Sequence, residues 1–184
     1  MSSFPAPRES AARPHYRAQL AFTRTMLPIL GGLLEAGSEV DPVVQREVAT
    51  LPVDLVFAMT VFGTDAQVRL ARRGDQLVHL DPTSPARPTL DIVFKHVGVA
   101  FLVVSFQEST ALAFARGRLV VHGDTALAMR MTRCLDRMEA VTLPGPIASR
   151  ALKSVPYIPP AERLPLAARY YGVAAKNAAR GRVQ

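Results

Sequence analysis

The spacing of apolar positions changes period several times along this chain, and each change marks an element. From His15 to Leu34 apolar side chains recur at helical turns through Leu20, Leu27 and Leu30, and Pro28 predicts a kink or a second start. Asp41 followed by Pro42 has the form of an N-cap with proline at the first helical position, so a short helix is expected to about Thr50, ended by Pro52. Leu55 to Phe62 is apolar apart from Thr60; at this length it suits a buried strand or part of a buried helix, with strand preferred. AQVRLA from Ala66 alternates, Arg72-Arg73-Gly74-Asp75 is turn chemistry, and QLVHL is strand-like again, which together predict a hairpin. Three prolines between Asp81 and Pro88 make a loop that cannot extend a central strand. Leu90 to Lys95 then sets Leu90, Ile92 and Phe94 on one face and Asp91, Val93 and Lys95 on the other, so one face is covered and the other partly exposed.

Val97 to Phe106, VGVAFLVVSF, has no polar side apart from Ser105 and is expected to be buried on several sides, as helix or strand. Gln107 to Thr110 breaks it and starts a helix into ALAFARG. The run FARGRLVVHGDTALAMRMTRCLDRMEAVTLP, ending at Pro144, is a helix end, a strand, a turn and an amphipathic helix in succession. Gly117 can take the left-handed conformation that closes a helix, Arg118 to His122 suits a short strand, Gly123 breaks it, and Asp124 caps the next helix. On that helix Leu127, Met131, Cys134 or Leu135, and Met138 share one face, while Arg130, Arg133 and Arg137 share the opposite side. Three arginines with no interleaved carboxylate leave the helix to be stabilised by its apolar stripe. From Ala161 to Gln184 a last amphipathic helix is predicted, with Leu166, Tyr170 and Val173 or Ala174 on one side.

The words RRGDQLVHL, LDIVF and GRLVVHGDTALAMRM, in that order over approximately Leu55 to Leu143, resemble the sterol carrier protein type 2 domain family. Within it the likeness is greatest to the accessory lipid-binding factors of anaerobic ubiquinone biosynthesis, through the Gly123-Asp124-Thr125 turn, Glu139 and Leu143-Pro144. The resemblance implies an α+β fold, a small mixed sheet of about five strands covered by helices with an apolar cavity between the layers, and a helical 97–106 segment as one wall. It further implies noncovalent binding and carriage or presentation of a lipid or isoprenoid, a quinone precursor among the candidates, with no catalytic residue, cofactor or metal. Faces that would converge on such a tunnel supply the expected lipid-binding residues: Ile92, Phe94, Phe101, Val104, Phe114, Leu119, Val121, Leu127 and Met131. The Pro-rich 81–88 loop, the unbroken VGVAFLVVSF and the basic tail depart from the family pattern.

Length suits one compact domain with extensions: a helical N-terminal extension over 1–50, the lipid-binding domain over 51–144, and a basic, Pro-rich tail with a C-terminal helix over 145–184. The net charge of +7 is uneven, with +3 in residues 1–24, +6 in residues 150–184 and −2 between. Basic ends suit an anionic membrane surface or nucleic acid, or are simply solvated. Arg163, Arg169, Tyr170, Tyr171, Lys176 and Arg180 are the expected membrane-surface residues, with docking of this helix onto the domain as the alternative. Twelve aromatics and no Trp leave few stacking platforms, so RNA binding is a second alternative behind a non-lipid assembly partner. Partner enzymes of a lipid pathway also remain candidates.

The four histidines are scattered with no i, i+4 pair, and no nucleophile elbow or phosphate loop occurs, so the chain is not expected to be an enzyme. Cys134, the single cysteine, lies among apolar residues and is expected to be a buried thiol. No signal-like segment and no run long enough to span a bilayer are present, so a cytoplasmic location, peripheral at the inner membrane surface where the basic end engages it, is expected.

Overall fold

A computed structural model describes residues 14–81, 84–151 and 158–181. The first helix, α1 (Pro14–Val40), runs through Pro28, which neither ends nor restarts it. It is followed by α2 (Pro42–Ala49), where Asp41 Oδ1 accepts the Val43 amide at 2.8 Å as its cap. Three strands come next, β1 (Val56–Val61), β2 (Gln67–Arg73) and β3 (Gln76–His79), then β4 (Leu90–Phe94). The apolar run after it is helical, α3 (Val97–Val104), and α4 (Thr110–Ala115), β5 (Leu119–His122), α5 (Thr125–Thr142), α6 (Gly145–Ala151) and α7 (Pro160–Gly181) complete the order.

The fold is α+β, with one mixed five-stranded sheet in the order β3-β2-β1-β4-β5. β1 runs parallel to β4, and the remaining neighbours are antiparallel. Register puts Val68, Met59, Ile92 and Val121 in one row across four strands, and Arg69, Ala58, Asp91 and His122 in the next. Consecutive rows point to opposite faces. The first row belongs to the face that the helices cover. The second lies under the Pro-rich connection, where Arg69 Nη1 donates to Ser84 O at 2.9 Å.

Leu27 and Leu34 of α1, Val44 of α2, Phe57, Phe94, Met131 and Met138 of α5, and Tyr170 of α7 form one hydrophobic cluster. The segments read as an N-terminal extension and a tail therefore share a core with the sheet. α7 lies along α1, and the approach depends on Gly37, where an added Cβ would stand 2.6 Å from a Tyr170 ring carbon. Beside this contact Tyr170 donates to Asp41 Oδ2 at 3.2 Å, and Arg137 Nε reaches the same oxygen at 2.7 Å. One buried carboxylate thus caps α2 and ties α5 and α7 to it.

The arginine face of α5 is also engaged. Arg130 donates to Thr50 and Arg133 makes two bonds of 3.0 Å to Glu47, so with Arg137 on Asp41 each of the three cations meets an acceptor at α2 or its caps. The repulsion expected from the isolated stripe is offset by a neighbouring helix rather than by its own.

Two helices close in the same way with different residues. Gly117, at φ +65°, ends α4 with Gly117 N to Phe114 O at 2.8 Å and Arg118 N to Ala113 O at 3.0 Å, the Schellman pattern. At the end of α3 the left-handed position is filled by Phe106, at φ +60°, with the corresponding bonds to Val103 O and Leu102 O both 2.9 Å.

Candidate functional site: a cleft at the β4–β5 edge

Most of the space between sheet and helices is filled. Phe57, Leu90 and Phe94 are fully buried beneath the helical layer. The packing opens at the other edge, where β5 is short and α4 is only six residues long. There, Ile92 of β4 and Leu119 and Val121 of β5 form an apolar floor facing α4 and α5 across a half-open cleft of about 430 Å³. Thr110, Ala111 and Phe114 of α4 make one wall, and Thr125, Ala128, Met129, Thr132, Arg133 and Asp136 of α5 make the other. The volume lies within the range of small-molecule sites, roughly 300–1,000 Å³. Phe114 is 50% exposed and Met129 60%, so large apolar side chains stand at the cleft with half their surface unburied.

The short wall is held at both ends by one residue. Glu108, 6% exposed, precedes α4 and accepts Arg116 at 3.1 Å and Arg118 at 2.6 Å from the chain that follows it. Ser109 caps the helix through the Leu112 amide at 3.2 Å. These bonds fix the position of Phe114 relative to β5.

On α5 the polar lining residues differ in how far their bonds are satisfied. Thr132 donates its hydroxyl to Ala128 O at 2.9 Å, and the Arg133 guanidinium faces Glu47, whose carboxyl that hydrogen bond holds below its usual range. Asp136 is exposed, its carboxylate has no hydrogen bond or ion pair among the described residues, and partial desolvation pushes its pKa up. One turn further, Glu139 is 9% exposed and equally unpartnered. Desolvation, with the Asp136 charge adding to it, raises its pKa to about 8.

Of the nine residues expected to line the cavity, Ile92, Phe114, Leu119 and Val121 meet at this cleft. Phe94, Val104 and Met131 are fully buried in the core, Leu127 packs against that core partly exposed, and Phe101 stacks edge-on against Phe22 of α1 at 5.3 Å. The stripe chosen on α5 from sequence is its most apolar one, and for that reason it is consumed by packing. The cleft takes the adjoining flank, Thr125, Ala128 or Met129, Thr132 and Asp136. A helical i, i+3, i+7, i+11 spacing was the signal that could have found it.

The membrane-surface set divides as well. Tyr170 is fully buried, which removes it from any surface, and Tyr171 donates to Thr142 O at 3.0 Å. Arg163 donates to Leu143 O and, at 3.3 Å, to Val141 O. Arg169, Lys176 and Arg180 stay exposed on α7, which docks on α1 and α5. No described helix is long and apolar enough to cross a membrane, and no metal-ligand cluster occurs among the described residues.

A wider groove of about 520 Å³ is lined by Ser38, Pro42, Gln45, Arg46, Ala49, Asp75 and Gln76. It is more open than the β4–β5 cleft, and five of its seven lining residues are polar or charged.

No family model matches the chain, and no curated protein matches it. Among solved structures it is similar to a UbiJ-SCP2 ubiquinone synthesis protein, with a TM-score of 0.45 at 15% identity, over 64% of this chain and 96% of that one.

Proposed function

We propose that the β4–β5 cleft binds the apolar tail of a lipid or isoprenoid noncovalently, so that the protein carries or presents the molecule without altering it. The observation that carries this reading is a half-open cleft with an apolar floor of Ile92, Leu119 and the partly exposed Val121, bordered by the exposed apolar side chains of Phe114 and Met129. Each methylene withdrawn from water contributes roughly 0.8 kcal/mol, so about ten would offset a large part of the cost of association without a charged anchor. Within this class a quinone precursor is the ligand favoured by the motif resemblance. The bound molecule would pass to partner enzymes or an anionic inner membrane surface, toward which Arg169, Lys176 and Arg180 on the free side of α7 supply charge. Nucleic acid is disfavoured, since the cleft offers one exposed ring, Phe114, and no stacking series.

The test is organic extraction of protein purified without detergent, followed by lipid mass spectrometry, on the wild type and on Val121→Trp. The expected result is a hydrophobic molecule recovered in stoichiometric amount from the wild type and at least about tenfold depleted in the variant, whose indole fills the floor. Equal recovery from both proteins, or none from the wild type even after incubation with a lipid extract, would overturn the reading.

A further inference from the structure

We propose that Asp136 selects ligands whose polar end is a hydrogen-bond donor, an O–H or N–H group, over ligands that end in an anion; this rests on the cleft holding an apolar tail. The α5 wall carries one charge without a partner among the described residues, and it is negative. Arg133, its one cation, is matched by Glu47 through two bonds of 3.0 Å. Thr132 has committed its proton to Ala128 O at 2.9 Å and can offer a ligand only lone pairs. Asp136 is acceptor-only when ionised and no described group donates to it. Glu139, on the following turn, adds a second carboxyl and no cation.

Geometry places this acceptor at one end of the site. The α5 lining runs from Thr125 to Asp136, three turns or about 16 Å at 1.5 Å per residue. Toward Thr125 the wall itself carries Ala128 and Met129 beside the strand floor, which suit a hydrocarbon chain. A tail laid along this wall with its head at Asp136 places a donor against an exposed carboxylate that no described group engages, and a charge-assisted bond to the ligand replaces its bond to water. A terminal carboxylate or phosphate in the same place meets like charge, and the one cation of the lining, Arg133, is already paired with Glu47.

The experiment measures competition by four twelve-carbon probes, dodecane, 1-dodecanol, dodecylamine and laurate, against pyrene bound to the full chain at pH 8, in wild type, Asp136→Asn and Val121→Trp. Dodecanol and dodecylamine are expected to displace pyrene at concentrations about tenfold below laurate, and Asp136→Asn is expected to narrow that gap to about threefold or less. A preference for dodecylamine alone assigns the donor to a cationic head, and a preference shared by dodecanol assigns it to any donor; either supports the proposal. Laurate competing as well as the donors in wild type, or an unchanged gap in Asp136→Asn, overturns it while leaving the apolar cleft intact. Pyrene binding that Val121→Trp does not weaken overturns the cleft reading itself, and the selection with it. The wild-type ranking requires no variant, so it decides the matter even where a substitution impairs folding.

Discussion

Replacing Glu139 by glutamine tests the electrostatics at the buried end of α5. The carboxyl is 9% exposed, has no described partner, and its pKa rises from 4.5 to about 8, chiefly by desolvation and secondarily by Asp136. A carboxyl whose folded pKa lies above its unfolded value keeps its proton in the native state after the unfolded chain has released it. Between pH 4.5 and 8 the folded protein therefore binds more protons, and stability falls as pH rises. At about 1.4 kcal/mol per pH unit the loss is on the order of 5 kcal/mol once pH exceeds the folded pKa, and on the order of 3 kcal/mol at pH 7. Glutamine keeps the shape and cannot ionise, so Glu139→Gln escapes the loss.

Urea unfolding followed by far-UV circular dichroism from pH 4 to 8.5 measures it. The two proteins should agree to within about 1 kcal/mol at pH 4, and the variant should gain steadily to about 3 kcal/mol by pH 7. Asp136 titrates in both proteins, and its direct contribution cancels from the difference. In an Asp136→Asn background the gain should shrink and largely survive, because desolvation is the greater cause. Parallel stability curves across the whole range would refute the reasoning, since they would mean that Glu139 ionises as freely in the fold as out of it.

Asp41→Ala removes the α2 cap, leaves Arg137 unpaired and orphans the Tyr170 hydroxyl, so it should cost about 3 kcal/mol or more by urea unfolding, whereas Tyr170→Phe should cost about 1 kcal/mol. Gly123→Ala forces a left-handed-side φ of +116° on a residue whose Cβ would lie 2.4 Å from the Thr89 carbonyl, and should destabilise by at least about 2 kcal/mol; a neutral effect would mean that the β4–β5 end is looser than described. Glu108→Ala releases both arginines that hold α4, and pyrene affinity should drop about fivefold or more with the overall melting transition moved less than by Asp41→Ala. Burial pushes the Cys134 thiol up to about 12, so iodoacetamide at pH 8 should label it only at the rate of global unfolding; rapid labelling of the native protein would contradict its burial.

Much of the fold was legible because it is written in local signals. Asp41-Pro42, the Arg73-Gly74-Asp75 turn, the alternation of Leu90 to Phe94, Gly117 and Asp124 each act within a few residues, and each element forms where that chemistry places it. What escaped depends on partners distant in sequence. Asp41 reads as a cap alone, yet it meets Arg137 and Tyr170 from 96 and 129 residues away. Tyr170 beside Tyr171 suggests an interfacial pair until Gly37 makes room for one ring. Phe106 shows the complementary failure: its local conformation is one that glycine favours, and its side chain packs against the core clusters, so tertiary contacts rather than propensity place it at the end of α3.

The cleft is the most instructive of these cases, because apolarity by itself selects against finding it. A helix that packs on a sheet commits its most apolar stripe to the sheet, and on α5 that stripe is Met131, Cys134, Leu135 and Met138, all at most 3% exposed. A binding surface must instead stay half-solvated when empty, which favours small and amphipathic side chains flanking the core stripe. Thr132, partly exposed, and Asp136, exposed, fit that requirement, while Ala128 is buried with the stripe, and Phe114 and Met129 supply apolar area on opposite walls. It follows that enlarging the flank should reduce ligand affinity at small cost to stability, whereas trimming the stripe should do the reverse. Thr132→Leu and Met131→Ala form the decisive pair: the first enlarges a partly exposed lining residue and should weaken pyrene binding with unfolding free energy within about 1 kcal/mol of wild type, and the second should cost about 2–5 kcal/mol. If both variants lost affinity and stability in equal proportion, cleft and core would be one packing unit, and the distinction drawn between the two faces of α5 would fail.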